Sequence, residues 1–197
     1  MKLLETYRAI NAEMWRAYQR GEIDPQTLAR ERFCRLLGVM GRDAAEGGAM
    51  GAAYVEELSR RGDVVSGGRS ALLAVGRSAR VGAVTNGIDR VQRERLRAGG
   101  IAGRFEIVVT SESCGFAKPD PRIMHEAMRA LRASADETAY VGDDAHADGG
   151  AAAAAGVRFW WIDRGLGGTP PVTLEHRLRS VRDVAPLLGD GVPLPRS

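Results

Sequence analysis

A chain of 197 residues with 44% hydrophobic and 27% charged positions has the composition of a globular protein, and enough length to bury one full core. Its net charge of +3 is spread without any run of five or six like charges, which takes support away from a nucleic-acid-binding reading. No apolar stretch approaches the roughly 20 residues that span a bilayer, and Cys34 and Cys114 are far apart and match no metal spacing, so the expected setting is a reducing cytoplasm with no membrane partner.

The first sixty residues predict helices. Leu3, Leu4, Tyr7, Ile10, Met14, Trp15 and Tyr18 recur at three- and four-residue steps and form one apolar stripe, which Gly21 ends. Asp24-Pro25 restarts a helix, with aspartate as N-cap and proline at the first helical position. Leu28, Phe33, Leu36 and Leu37 carry that helix to Gly38, with Cys34 expected to be buried and inert on its stripe. Beyond a small-residue run over 44–53, Tyr54, Val55 and Leu58 predict a third helix that stops near Gly62.

From residue 63 the pattern changes to alternating strands and helices. Strands are expected over 81–84, 105–109, 138–141 and 157–162, and helices over 88–98, 121–131 and 147–155. Asp120 is placed to cap the second of these helices, and Trp160-Trp161 to put one ring on each face of a sheet. Strands spaced in this way imply a parallel sheet with helices on both faces, whose ligands bind beyond the carboxyl ends of the strands. Thr85, Ser111 and Asp143 fall at such ends.

Three clusters stand there in fixed order: Thr85-Asn86-Gly87, Lys118-Pro119-Asp120, and Gly142-Asp143-Asp144 with Asp148. Each has a plain alternative, since Asn-Gly is a turn, Asp120-Pro121 a helix cap, and an acidic loop a turn with a cap at its end. Their chemistry suggests more. A hydroxyl and backbone N–H groups could cradle phosphate oxygens, an ammonium could offset their charge, and carboxylates crowded within six residues suit Mg²⁺. Of the 28 basic residues, 26 are arginine, yet the loop cation is Lys118, a compact point charge rather than a planar fork. His146 lies in the acidic loop as a substrate contact or a solvated residue, and His125 and His176 show no partner spacing.

With these clusters the chain resembles the haloacid dehalogenase (HAD) superfamily, in its phosphatase-like branch with a helical cap. Val84-Thr85-Asn86-Gly87 resembles the family's second motif, Ser111-Glu112 through Gly115-Phe116-Ala117-Lys118-Pro119-Asp120-Pro121 the third, and Val141-Gly142-Asp143-Asp144 with Asp148 the fourth. Ile10-Asn11, Trp15, Gly21-Glu22-Ile23 and Arg32-Phe33 are similar to the cap of pyrimidine-nucleotidase-like members. The resemblance implies that Thr85, Asn86, Gly87 and Lys118 bind the phosphorylated substrate, with Thr85 and Lys118 acting in catalysis. It implies that Asp143 and Asp148 hold Mg²⁺, while Asp144 stands where many relatives have serine. The implied reaction is hydrolysis of a small phosphomonoester or nucleotide through an aspartyl-phosphate.

One departure is large. The family's first motif, a strand ending Asp-x-Asp-x-Thr/Val, should precede the cap, and no Asp-x-Asp occurs anywhere in this sequence. Asp63, in Asp-Val-Val-Ser-Gly-Gly, lacks the second acid that would protonate a leaving group. The missing strand is central in the family, so two rows of backbone groups are expected to lie unpaired at about 1–3 kcal/mol each, against a total stability of about 5–15 kcal/mol. The expected architecture is thus α/β: a doubly wound, Rossmann-like parallel-sheet core over 63–190, a small helical cap over 1–62, a tail over 191–197, and no first central strand. The expected function is a Mg²⁺-dependent HAD phosphatase whose nucleophile is absent from this chain, its recorded start lying downstream of the true one. The alternative is a shortened, non-catalytic protein that binds metal, phosphate or a partner chain; homo-oligomerisation is left open. A receiver domain ranks third, because its acidic pair should precede the threonine and lysine.

Overall fold

The computed structural model describes residues 2–165 and 174–188, so the predicted tail over 191–197 lies outside the described residues. Three helices come first: α1 (Lys2–Gln19), α2 (Pro25–Val39) and α3 (Gly47–Arg60). Gly21, with φ +73°, turns the chain after α1. Asp24 then accepts the Thr27 N–H at 2.6 Å, and Pro25 fixes the first turn of α2. That helix passes the expected stop at Gly38 and is turned instead by Gly41, at φ +68°. Cys34 is half-buried rather than buried.

The small-residue run reads differently in three dimensions. α3 starts at Gly47, well ahead of Tyr54, because its glycines pack against the backbone of α2. A Cβ at Gly51 would lie 2.7 Å from Ala29 O, and one at Gly47 would overlap Cys34. Close backbone packing leaves no apolar periodicity to read. Tyr7, Phe33 and Tyr54 join the three helices, with ring centroids 5.8 and 5.5 Å apart.

The second part alternates as expected, beginning with a helix the periodicity missed, α4 (Gly68–Val75). It is followed by β1 (Gly82–Thr85), α5 (Asp89–Ala98), β2 (Ile107–Thr110), α6 (Ser111–Cys114), α7 (Arg122–Leu131), β3 (Ala139–Gly142), α8 (Ala147–Ala154), β4 (Arg158–Ile162), β5 (His176–Leu178) and α9 (Val184–Leu187). The periodicity also missed the short helices α6 and α9 and the strand β5. Asp120 accepts the Arg122 N–H at 2.9 Å, the cap expected of it. Among the described residues, no helix is long and apolar enough to cross a membrane.

All strand pairs are parallel, but they form two sheets: β1 with β2, and β3-β4-β5. β1 and β3 do not pair with each other. An open sheet normally buries its middle strands most deeply. Here β1 and β3 are half-buried at all four of their positions, whereas β2 carries buried Val109 and Thr110 and β4 buried Phe159, Trp160 and Trp161.

Helices hold the two sheets together. Ile123, Met124 and Ala127 of α7, with Ala151 and Ala152 of α8, form one core with Val109 of the first sheet and Phe159 and Trp161 of the second. Full burial of a side chain such as Ile123, at 0% exposure, contributes about 1.5–3 kcal/mol. On the opposite face Trp160 packs with Leu178 and Val184, so the two tryptophans do face opposite ways. Helices thus cover both faces, as in a doubly wound α/β fold.

Candidate active site

The threonine and lysine clusters meet through a reciprocal clamp. Asn86 Nδ2 donates to Lys118 O at 3.0 Å, and Lys118 N donates to Asn86 Oδ1 at 2.8 Å. The side chain of Asn86 therefore pairs with the Lys118 backbone as a neighbouring strand would, and ties the β1 loop to the segment before α7. The Thr85 hydroxyl contacts Asn86 O at 3.3 Å.

Lys118 is 8% exposed, and its ammonium reaches across the division between the sheets. Nζ donates to Asp148 Oδ1 at 2.7 Å, to the Tyr140 hydroxyl at 2.9 Å and to Val84 O at 3.4 Å. The Tyr140 hydroxyl lies 3.2 Å from both Val84 O and Asp148 Oδ1. A strand carbonyl of β1 is thus met by two side chains instead of a backbone N–H. Burial disfavours the Lys118 ammonium, but Tyr140 and Asp148 outweigh it, and its pKa stands above the ordinary value of 10.5. Burial likewise raises the Tyr140 phenol, so at neutral pH the lysine is charged and the tyrosine is not.

The acidic loop divides its carboxylates among three tasks. Asp148, 4% exposed, pairs with Lys118 through Oδ1 and accepts the Asp144 N–H at Oδ2, 3.0 Å away. Gly142 makes room for it, since a Cβ there would fall 2.6 Å from Asp148 Cγ. Asp144 accepts the N–H groups of His146 and Ala147 at 3.0 and 2.8 Å and so caps α8. Asp143 is half-exposed and pairs with Arg164 at 3.0 Å, while its carbonyl accepts Trp161 Nε1–H at 3.2 Å. His146 is exposed.

These donors fit a hard cation in part. Asp143 presents an accessible carboxylate, and Mg²⁺ commonly takes only one or two, filling its sphere with water and phosphate. Asp148 Oδ1 already accepts from Lys118 and Tyr140, whereas Oδ2 accepts a single N–H and keeps acceptor capacity for a cation. Among the described residues, no three His, Cys, Asp or Glu side chains cluster as a ready-made site.

The Gly87 N–H donates to Ser111 Oγ at 2.7 Å, and that hydroxyl also bonds Tyr18 of α1. Ser111 and Tyr140 are structural partners whose tasks sequence reasoning did not assign. Ser111 was marked by its place at a strand end and at the start of the third motif, but not as the partner of Gly87 and Tyr18. Tyr140 stands in an apolar strand with nothing in the sequence to mark its hydroxyl.

Comparison with known proteins agrees with this geometry. A family model described as haloacid dehalogenase-like hydrolase matches residues 52–162. The chain is 39% identical over 102 residues to phosphoserine phosphatase of Thermus thermophilus, covering 51% of this chain but only 41% of that enzyme's length. It is 28% identical over 188 residues to pyrimidine 5'-nucleotidase YjjG of Escherichia coli, covering 90% of this chain and 81% of the relative. The magnesium-bound structure of YfnB from Bacillus subtilis superposes with a TM-score of 0.85 at 25% identity, covering 95% of this chain and 82% of that one. With more than half of its length matched by the family model, the chain belongs to the haloacid dehalogenase-like hydrolases.

Proposed function

We propose that this chain carries the charge-stabilising half of a phosphomonoester hydrolase, with residues 1–62 as cap and 63–190 as core. The observation that carries the reading is the meeting of Asn86, Lys118 and Asp148 at the carboxyl ends of β1 and β3. The named activities of the Thermus and Escherichia relatives support a small phosphorylated substrate. Two free thiols support a reducing cytoplasm.

In this reading the Thr85 hydroxyl donates to a phosphoryl oxygen and the Lys118 ammonium offsets charge on the transferring group. Asp143, with Asp148 in support, would hold Mg²⁺, which supplies further charge neutralisation when bound; the magnesium-bound relative supports that assignment. The attacking carboxylate has to come from a strand ending Asp-x-Asp seated between β1 and β3. A carboxylate oxygen there forms a bond to phosphorus as the ester P–O bond breaks, and the leaving alkoxide takes the proton of the second acid. Water then cleaves the acyl phosphate, regenerating the carboxylate and releasing phosphate. The half-burial of β1 and β3 and the side-chain capping of Val84 O support a strand in that place.

The test compares the 197-residue chain with the same chain extended at its N-terminus by a strand ending Asp-x-Asp, using p-nitrophenyl phosphate and Mg²⁺. Turnover is expected only in the extended form, and is lost when the first added aspartate becomes asparagine or Thr85 becomes valine. Equal turnover without the strand, or none in a folded extended chain, contradicts the reading. The second reading, a non-catalytic binder, is favoured by the Lys118–Asp148 pair, which neutralises the site from within. It requires Mg²⁺-dependent thermal stabilisation with no turnover in either form.

A further inference from the structure

Ser111 and Glu112 open α6 directly after β2, and each reaches in two directions. Ser111 Oγ accepts the Gly87 N–H at 2.7 Å and bonds the Tyr18 hydroxyl of α1. Glu112 accepts the Asp89 N–H through Oε2 at 2.8 Å and the Gln26 side-chain amide of α2 through Oε1 at 2.5 Å. Adjacent residues thus form two parallel ties, Tyr18–Ser111–Gly87 and Gln26–Glu112–Asp89. Each runs from an N-terminal helix to the segment just after Thr85-Asn86.

The midpoint of the ties is firmly held. Fully buried Thr110 accepts the Ser113 N–H at 3.1 Å, and its own N–H donates to Ser113 Oγ at 3.1 Å, a reciprocal cap on α6. Thr110 Oγ1 also donates to Asp89 Oδ1 at 2.9 Å. A serine hydroxyl turns among three rotamers and presents either lone pairs or its proton to a neighbour. Contact with Tyr18 selects the arrangement in which a lone pair faces Gly87. In the same way Gln26 pins one oxygen of Glu112 while the other faces the Asp89 N–H.

The tied segment adjoins the residues assigned above to the phosphoryl group. Asn86, next to Gly87, clamps the Lys118 backbone. Ala117, one residue before Lys118, packs against Met14, Tyr18 and Leu28 of α1 and α2. A cavity of about 450 Å³ lies alongside, walled by the turn between the two helices and by Ser111, Glu112 and Phe116. Its polar lining admits water, which competes for the hydrogen bonds of both ties, so they open without global unfolding.

We propose that Ser111 and Glu112 are positioning residues that couple the docking of α1 and α2 to the conformation of the Thr85-Asn86-Gly87 loop. Docked helices hold both ties and set the loop for an oxyanion. Displaced helices release the ties, and the loop relaxes together with the Lys118 backbone. The loop's task rests on the hydrolase reading above, whereas the coupling does not. Coupling is reciprocal, so an anion that orders the loop also tightens the helices.

Amide hydrogen exchange of the 197-residue chain, followed by NMR at Gly87 and Asp89, tests the coupling. Tyr18→Phe removes one hydroxyl on α1 and is expected to speed exchange at Gly87 about fivefold, the size of one lost hydrogen bond. Gln26→Leu, at an exposed position of α2, is expected to do the same at Asp89. In a Ser111→Ala background, Tyr18→Phe is expected to add nothing at Gly87, because that tie is already cut. Glu56→Gln breaks the exposed 3.7 Å contact of α3 with Arg90 and is expected to leave both amides unchanged. Inorganic phosphate, titrated calorimetrically, is expected to bind Tyr18→Phe about threefold more weakly than wild type. Unchanged exchange in Tyr18→Phe and Gln26→Leu, an equal response in Glu56→Gln, additive effects of Tyr18→Phe and Ser111→Ala, or phosphate bound equally by wild type and Tyr18→Phe overturns the proposal. Absence of phosphate binding by wild type, with both amides still responding, faults the hydrolase reading instead.

Discussion

Replacing Lys118 by methionine removes an ammonium while keeping most of its stem, and it strands Asp148 in a site only 4% exposed. Breaking a buried pair by removing one partner costs about 3–5 kcal/mol, because the surviving charge is left without compensation. The lower end applies here, since the Tyr140 hydroxyl at 3.2 Å and the Asp144 N–H at 3.0 Å still donate to the carboxylate. A loss of about 3 kcal/mol in a domain of this size lowers Tm by roughly 6–12 °C. Urea unfolding followed by circular dichroism should show a lower midpoint at unchanged slope. The companion Lys118→Met/Asp148→Leu, which removes both charges, should recover most of the loss. A single variant within about 2 °C of wild type, or a double variant no better than the single, would refute the claim that this pair is a coupled, buried unit.

Other expectations follow from the same geometry. Gly142→Ala should cost about 1–3 kcal/mol in urea unfolding, because its Cβ would displace the Asp148 carboxylate. Asn86→Ala removes both hydrogen bonds to the Lys118 backbone and should cost about 1–3 kcal/mol, with faster amide exchange at Lys118 as the local readout. At acid pH, the carboxyl of Asp89 is held below 3.8 by Arg93 and Thr110 against the opposing effect of burial. Its stabilisation is therefore complete above pH 3.8 and lost as pH falls through the lower folded value, and Asp89→Asn should flatten that limb of a stability–pH curve. At alkaline pH the raised Lys118 contributes fully below 10.5 and is lost only as pH climbs through its folded value, so Lys118→Met should remove an alkaline limb and leave pH 6–9 flat.

The alternation of strand and helix, the caps at Asp24 and Asp120, and the opposed faces of Trp160 and Trp161 were legible because each is a local rule. Periodicity, turn chemistry and β-alternation act over a few residues. The early start of α3 was not legible, because Gly47 and Gly51 pack as backbone and carry no apolar signal. The site divides along the same line. Residue types and order marked Thr85, Asn86, Lys118 and Asp148, while pairing across space decided their tasks. Asp144 proved a helix cap, Asp143 the partner of Arg164, and the Gly87 N–H the partner of Ser111. Tyr140 went unread because nothing in a one-dimensional pattern tells whether a buried polar group has found its counterpart.

The carbonyl of Val84 carries a consequence of its own. It is met at once by an ammonium and a phenol, groups that would be evicted by any backbone N–H arriving alongside β1. Eviction would loosen the same ammonium from its resting contacts and turn it toward whatever the newcomer brings. Pairing a strand with β1 and freeing the lysine would then be a single event.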